Sequence, residues 1–355
     1  MSKEMFFLNS GNEAGQNDFY KGVSAFLTGD YDEAASSFEA MLAYGKRNPL
    51  AYCYLGIIAL EKGNFTEGKE KCLEGLEEDP ENIYLYYCLG AAFEQEEQWK
   101  EAAHYYQMYC KQAPHDTEAM LSMGYMLEKQ GKTDMAEICY RKVLALQFAN
   151  CPASYGLAVL MERSGREEEA MQLLAAATQE HPLCSRLWAK LGALYFKQKL
   201  WSQAAVAYQT AMDLINESAD GFYNLGLCLL LNGSTKEAEK AFRKALSMNP
   251  QDIDTLFYLG LTCLQQQKII IAENYFMQVL SLDLDYERAH YLLGCVFYKQ
   301  GRFIQAEKEI DFLTKKNSPY AQMIQKIKGY VDDSGKMLVN DEEEVYYLSE
   351  NNEFI

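Results

Sequence analysis

A small residue returns every 34 positions along this chain, and no other feature narrows the fold as far. Glycine stands at 22, 56, 90, 124, 192, 226, 260 and 294, and Ala158 fills the one gap. If this residue is numbered position 8 of each repeat, position 20 is Ala34, Gly68, Ala102, Ala136, Ala170, Ala204, Ala238, Ala272 and Ala306. Position 24 is bulky in Phe38, Tyr106, Tyr140, Leu174, Tyr208, Phe242, Phe276 and Ile310, with Cys72 the exception. Positions 20 and 24 lie one helical turn apart and share a face. Glycine at position 15 in six repeats (Gly29, Gly63, Gly131, Gly165, Gly233, Gly301) ends a helix in mid-repeat, so each repeat reads as two helices. All seven prolines fall between one repeat's second helix and the next repeat's first, where a missing N–H costs nothing. Nine such repeats fit between residues 15 and 320. A helical hairpin of this size cannot bury its apolar face alone, so stacked neighbours must complete the core.

The pattern resembles the tetratricopeptide repeat (TPR) family, with its 34-residue period, small residue at 8, alanine at 20, aromatic at 24 and frequent proline at 32. Trp188-Ala-Lys-Leu191-Gly192 leads to Ala204, Tyr208 and Ala211, and Tyr223-Asn-Leu225-Gly226 leads to Ala238, Phe242, Ala245 and Pro250. Pro80, Pro114, Pro182 and Pro250 occupy position 32. The resemblance implies an all-α solenoid, a right-handed superhelix of antiparallel helix pairs. The expected organisation is an N-terminal arm over 1–14, repeats over 15–320, a capping helix over 321–330 and an acidic tail over 331–355. In the cap Met323, Ile324 and Ile327 are expected inward; the tail carries a net charge of −7 in 25 residues and is expected to be disordered. The weakest repeats are the first, with Asp18 and Lys21 at apolar positions, and the second, lightened by Gly68, Cys72 and Gly75.

Composition removes several functions. The chain is 49% hydrophobic with no apolar run near 18 residues, so no direct membrane insertion is expected. A net charge of −18 repels a phosphate backbone and argues against nucleic acid. Ten cysteines include no C-x-x-C and no cluster with histidine, which leaves neither a zinc site nor a readable disulfide framework and fits a reduced, cytoplasmic setting. The start, Met1 to Leu8, lacks a signal-peptide core. Phosphate-binding, zinc-protease and nucleophile-elbow motifs are missing, and the four histidines fall in different repeats and phases. The 49 residues outside the repeats are too few for an appended catalytic domain. The expectation is no enzyme, no cofactor and no metal.

Function then rests on a surface. Positions 2, 5, 6, 9, 12 and 13 of the first helices form one helical stripe, which the resemblance places on the inner wall. It is aromatic nearly throughout. Tyr84, Tyr87, Tyr125, Tyr155, Tyr223, Tyr258 and Tyr291 are the candidate partner-binding rings, because tyrosine offers ring area while keeping its hydroxyl wet. Packing against the adjacent repeat is the competing role. Glu94, Glu118, Glu128 and Glu162 make repeats three to five acidic; Arg186, Lys190 and Lys197 make repeat six basic. Arg186 and Lys190 match two positions of the carboxylate clamp of chaperone-binding TPR domains, whose remaining positions hold Leu121, Tyr125 and Gly156 here. Asn224, at position 6, is a candidate for contact with a peptide backbone. Ile270 and Ile271 sit where the family is polar and form a candidate self-association patch. Glu342 to Leu348 joins acid to rings after a basic stretch and is a candidate for docking back onto the array. The expected function is an adaptor or cargo chaperone binding a protein or peptide segment, with a self-associating scaffold as the alternative.

Overall fold

The computed structural model describes residues 13–43, 48–214 and 218–328, so the arm before residue 13 and the tail over 331–355 lie outside the described residues. Among the described residues there are nineteen α-helices and no strand. They fall into two compact units, divided at His181/Pro182.

The first unit holds α1 (Glu13–Thr28), α2 (Tyr31–Ala43), α3 (Pro49–Glu61), α4 (Phe65–Glu78), α5 (Ile83–Gln95), α6 (Trp99–Gln112), α7 (Thr117–Lys129), α8 (Thr133–Leu146), α9 (Cys151–Arg163) and α10 (Glu167–Glu180). The second holds α11 (Ser185–Lys197), α12 (Trp201–Leu214), α13 (Ala219–Leu231), α14 (Thr235–Met248), α15 (Ile253–Gln265), α16 (Ile269–Leu282), α17 (Glu287–Lys299), α18 (Phe303–Lys315) and α19 (Pro319–Lys328). Within each unit, odd and even helices pack as consecutive pairs, and each second helix also packs on the next first helix. In the second unit α19 lies against α17 and α18, with Ala321 and Ile324 buried and Met323 partly so. The side chain of Ile327 lies outside the described residues.

The periodic small residue works by contact distance. A methyl group built on Gly226 would stand 2.6 Å from a ring carbon of Phe242, and one on Gly260 would stand 2.7 Å from Phe276. At Gly90 and Gly124 the same methyl would come within 2.9 Å of Tyr106 and Tyr140. The position-24 ring of the second helix therefore rests on bare backbone of the first. Ala158 has no such ring opposite it: position 24 of its repeat is Leu174, fully buried. Tyr140, of the repeat before, instead covers Gly156, where a methyl would stand 2.7 Å from its Cζ.

Helix ends follow local chemistry. Asn48, Asn82, Asp116, Asn150, Ser218 and Asp252 precede first helices, and each accepts a hydrogen bond from a first-turn backbone N–H. The position-15 glycines close first helices with positive φ, for example +76° at Gly165, and Lys199 does the same at +59° without being glycine. Ion pairs tie neighbours together along the second-helix side. Arg166 meets Glu137 at 2.6 Å in the first unit, while Lys268–Glu239 at 2.7 Å and Arg302–Glu273 at 2.6 Å repeat that register in the second. The guanidiniums of Arg166 and Arg141 pull the Glu137 carboxyl down to about 2.

Two buried polar groups are also structural. Cys53, Cys72 and Cys88 are enclosed together, with Cys53 and Cys88 sulfurs 3.3 Å apart; the bond to Cys88, then burial, holds the Cys72 thiol well above its ordinary range, and the bond to Cys53, with burial, does the same for Cys88 against the opposing bond to Cys72. They act as small packing groups and not as nucleophiles. His290 offers Nδ1 to Glu309 at 2.5 Å and Nε2 to the Leu284 carbonyl at 3.0 Å, with its ring stacked on Phe312. Both nitrogens face acceptors, so the ring is satisfied on both sides only as imidazolium. Burial pushes its pKa down, but the Glu309 bond, the Leu284 carbonyl and the fields of Glu309 and Asp285 outweigh it and leave a net rise.

Three outcomes are expected. Gly226→Ala forces Phe242 aside and costs about 1–3 kcal/mol; combined with Phe242→Leu, the loss in urea denaturation is smaller than the sum of the two single losses. Gly165→Ala, with open space around its added methyl, lowers stability by about 1 kcal/mol through backbone strain alone, while Lys199→Gly leaves stability unchanged or raises it by a few tenths of a kcal/mol. His290, with its folded pKa raised, stabilises fully below about 6.5, the unfolded value, and loses that contribution as pH climbs through the folded value. The melting-temperature gap between the native chain and His290→Gln therefore narrows from pH 6 to pH 9, and a gap constant with pH would contradict the imidazolium assignment.

Candidate functional site

The stripe is built by the first helices, and the structure divides its rings into two fates. In the first unit Tyr87, half-buried on α5, packs edge-on against Tyr106 at 5.7 Å and Tyr109 at 5.3 Å. Burial, and then the carboxylates of Glu118, Asp116 and Glu94, drive its hydroxyl pKa upward. Tyr84, one turn before, stays half-buried, and its backbone N–H donates to the Asn82 cap. Tyr155 is half-buried on α9. Tyr125 is the open member: it is 41% exposed, meets Trp99 edge-on, and has the Lys129 ammonium 5.1 Å from its ring centre.

The acidic residues of this unit are partly structural. Glu94 accepts from the Tyr106 hydroxyl at 2.7 Å; Glu128 accepts from Tyr140 at 3.0 Å and from Arg163 at 2.9 Å. The link runs from position 24 to position 12 of the same repeat, so a phenylalanine at 24 removes the reason for a glutamate at 12. Asp116 serves both as a helix cap and as acceptor for Tyr109.

In the second unit Arg186 and Lys197 are exposed on α11 and Lys190 is half-buried between them. Spacings of four and seven residues put all three on one face. Tyr223 and Asn224 are half-buried on α13. Tyr258 and Tyr291 are not available to a partner in this way. Tyr258 is 7% exposed, stacked on Phe242 at 14° and edge-on to Tyr223 at 5.9 Å. Tyr291 is 5% exposed and lies beside Tyr320 at 5.5 Å. The physical reason for Tyr258 is general. A ring at position 6 stacks on the position-24 ring of the repeat before it, as Tyr54 does on Phe38 at 4.7 Å and 6° in the first unit. The signal was present in the sequence as a ring at 24 followed, sixteen residues on, by a ring at 6.

Second helices carry exposed apolar groups. Ile270 and Ile271 are 73% and 40% exposed, and Ile304, at the same position one repeat later, is 80% exposed. Elsewhere the first turn of most second helices is acidic, for example Glu237 on α14; on α16 and α18 it is not. Among the described residues no three His, Cys, Asp or Glu side chains gather as a metal-holding group, and no helix is long and apolar enough to cross a membrane.

Comparison with known proteins places this geometry. Residues 21–83 and 117–150 match tetratricopeptide repeat models, and residues 198–315 match the middle TPR-like domain of cilia and flagella-associated protein 70. Human Superkiller complex protein 3 is 28% identical over 221 residues, 60% of this chain and 14% of that protein, so the chain spans a small part of that relative. A tetratricopeptide repeat protein from Parabacteroides merdae superimposes with a TM-score of 0.51 at 21% identity, over 71% of this chain and 99% of its own. YrrB, described as a TPR protein with an unusual peptide-binding site, has a TM-score of 0.48 at 18% identity over 53% of this chain and 97% of its own. The matched stretches together exceed half the sequence, and helical hairpins of the same period fill both units, so the chain belongs to the tetratricopeptide repeat family.

Proposed function

We propose that this chain is a non-catalytic adaptor or cargo chaperone that holds a segment of another protein on the stripe of its first helices. TPR folds serve as protein–protein interaction modules in general, and the finer reading is carried by one observation. Tyr125, Tyr223, Asn224 and Lys190 keep surface open on that stripe, whereas the rings that the core requires are closed away. Tyr84, Tyr87 and Tyr155 add ring area in the first unit beside Glu94, Glu118, Glu128 and Glu162. Arg186, Lys190 and Lys197 give the second unit a basic face that suits an acidic group. Ordering a flexible partner costs a few kcal/mol, so binding is expected to be reversible, on the order of micromolar.

A second reading has its own support. Ile270, Ile271 and Ile304 expose apolar area on successive second helices, which fits a scaffold that meets a second copy through that side.

Affinity capture from the soluble extract of the source cell, with the native chain beside a Tyr125→Ala, Tyr223→Ala, Lys190→Glu variant of unchanged circular dichroism, distinguishes the two. A protein held by the native chain and lost by the variant is the expected result. Equal capture by both would sink the stripe reading. A concentration-dependent dimer abolished by Ile270→Lys with Ile304→Lys would support the scaffold.

A further inference from the structure

Among the described residues α16 is the only second helix whose exposed side carries no charge. Its outward residues include Ile270, Ile271, Asn274, Met277 and Gln278, and its single ionised group, Glu273, is taken by Arg302 at 2.6 Å. That ion pair ties the start of α18 to α16. Ile304, two residues after Arg302, therefore belongs to the same surface as Ile270, three residues before Glu273. The three isoleucines and Met277, itself 54% exposed, leave apolar area open on two neighbouring helices. Single exposed apolar residues are ordinary, whereas a contiguous set marks a surface that something covers.

The chain beyond α19 holds a segment of matching chemistry within reach. α19 follows α18 after three residues and packs back along it, so it ends toward the start of α18. Residues 329–340 then span up to roughly 40 Å when extended, about twice the length of α18. They lead to Asp341-Glu-Glu-Glu-Val-Tyr-Tyr-Leu348, four acids followed by four apolar or aromatic residues. Charge favours this segment over a second copy. Residues 287–328 hold eight Lys and Arg against four Asp and Glu, although the whole chain stands at −18. On α18 the exposed Lys308 and Lys315 follow Ile304 by four and eleven residues on one face, with Asp311 the acid between them. Among the described residues neither lysine is in an ion pair. A second copy would set this lysine-bearing face against itself, and two chains of −18 repel besides.

We propose that the outer face of α16 and α18 is the docking surface for this chain's own residues 341–348. Val345, Tyr346, Tyr347 and Leu348 cover the isoleucines and Met277, and the preceding acids lie along Lys308 and Lys315. Exposed ion pairs are weak and screened by salt, so the apolar residues hold the segment and the lysines set which way it runs. This surface belongs to second helices, and the inference does not rest on the reading of the first-helix stripe. Docking here leaves that stripe open to a partner and removes the area through which a second copy would attach.

The full chain carrying Tyr347→p-benzoylphenylalanine, a ring-bearing photo-crosslinker, provides the test. After irradiation, proteolysis and mass spectrometry locate the attachment. The expected product has the mass of one chain, forms in a yield independent of protein concentration, and joins residue 347 to peptides from 269–282 or 303–315. Adding Ile270→Ser with Ile304→Ser, both at exposed positions, lowers that yield at least about fivefold. Val345→Ser, Tyr346→Ser and Leu348→Ser lower it likewise while leaving the sequence of the repeats untouched. Attachment to first helices, no attachment, or an unchanged yield in either set of variants with unaltered circular dichroism would overturn the proposal. A product of two chains joined through 269–282 would overturn it in favour of the scaffold reading.

Discussion

A ring resting on bare backbone is the contact from which the rest of this molecule follows. The position-24 side chain approaches the position-8 glycine so closely that a single methyl group would displace it, as at Gly226 under Phe242 and Gly260 under Phe276. That contact fixes the spacing of each hairpin. It also fixes what the ring's far side meets, because the next repeat then presents its position 6 to it. Tyr54 on Phe38 and Tyr258 on Phe242 are the outcome, and each joins two repeats by one stacked pair. Nearest-neighbour coupling of this kind lets a solenoid behave as a cooperative structure although no residue has a partner far along the chain.

The same geometry decides which aromatics remain for recognition. A ring at position 6 is consumed by stacking where the repeat before it carries a ring at 24, as at Tyr54 and Tyr258, and Tyr87 at position 5 by the faces of 24 and 27, Tyr106 and Tyr109. What stays open is fixed by exceptions. Tyr125 sits at position 9 and touches Trp99 of the repeat before it only edge-on, and Tyr223 meets Tyr258 edge-on. The open surface is therefore sparse, and its chemistry differs between the two units.

The fold was legible in the sequence because its determinants are local and recur: Gly226 and Ala238 announce a close helix pair, Gly165 a turn, Pro250 a junction. The functional surface was less legible because burial depends on two repeats at once. Tyr258 is closed by Phe242 of the repeat before it, sixteen residues earlier, which no reading of its own repeat reveals. Helix caps such as Asn82 and Asp252 were readable and simply lay outside the pattern of apolar residues.

Repeat five gives the array an order. It pairs Ala158 with Leu174 and sets Gly156, not a ring, under Tyr140 of the repeat before. A repeat with a tyrosine at position 6 would collide there, and repeat five set behind a phenylalanine-bearing repeat would leave a void where the Tyr140 hydroxyl end now sits. The junction between repeats four and five thus works as a lock cut for one key, and repeat five, alike as it looks, does not exchange with a repeat that carries a ring at position 6. Growth of such a chain by duplication would have had to copy junctions and not single hairpins, with each new seam refitted before it could close.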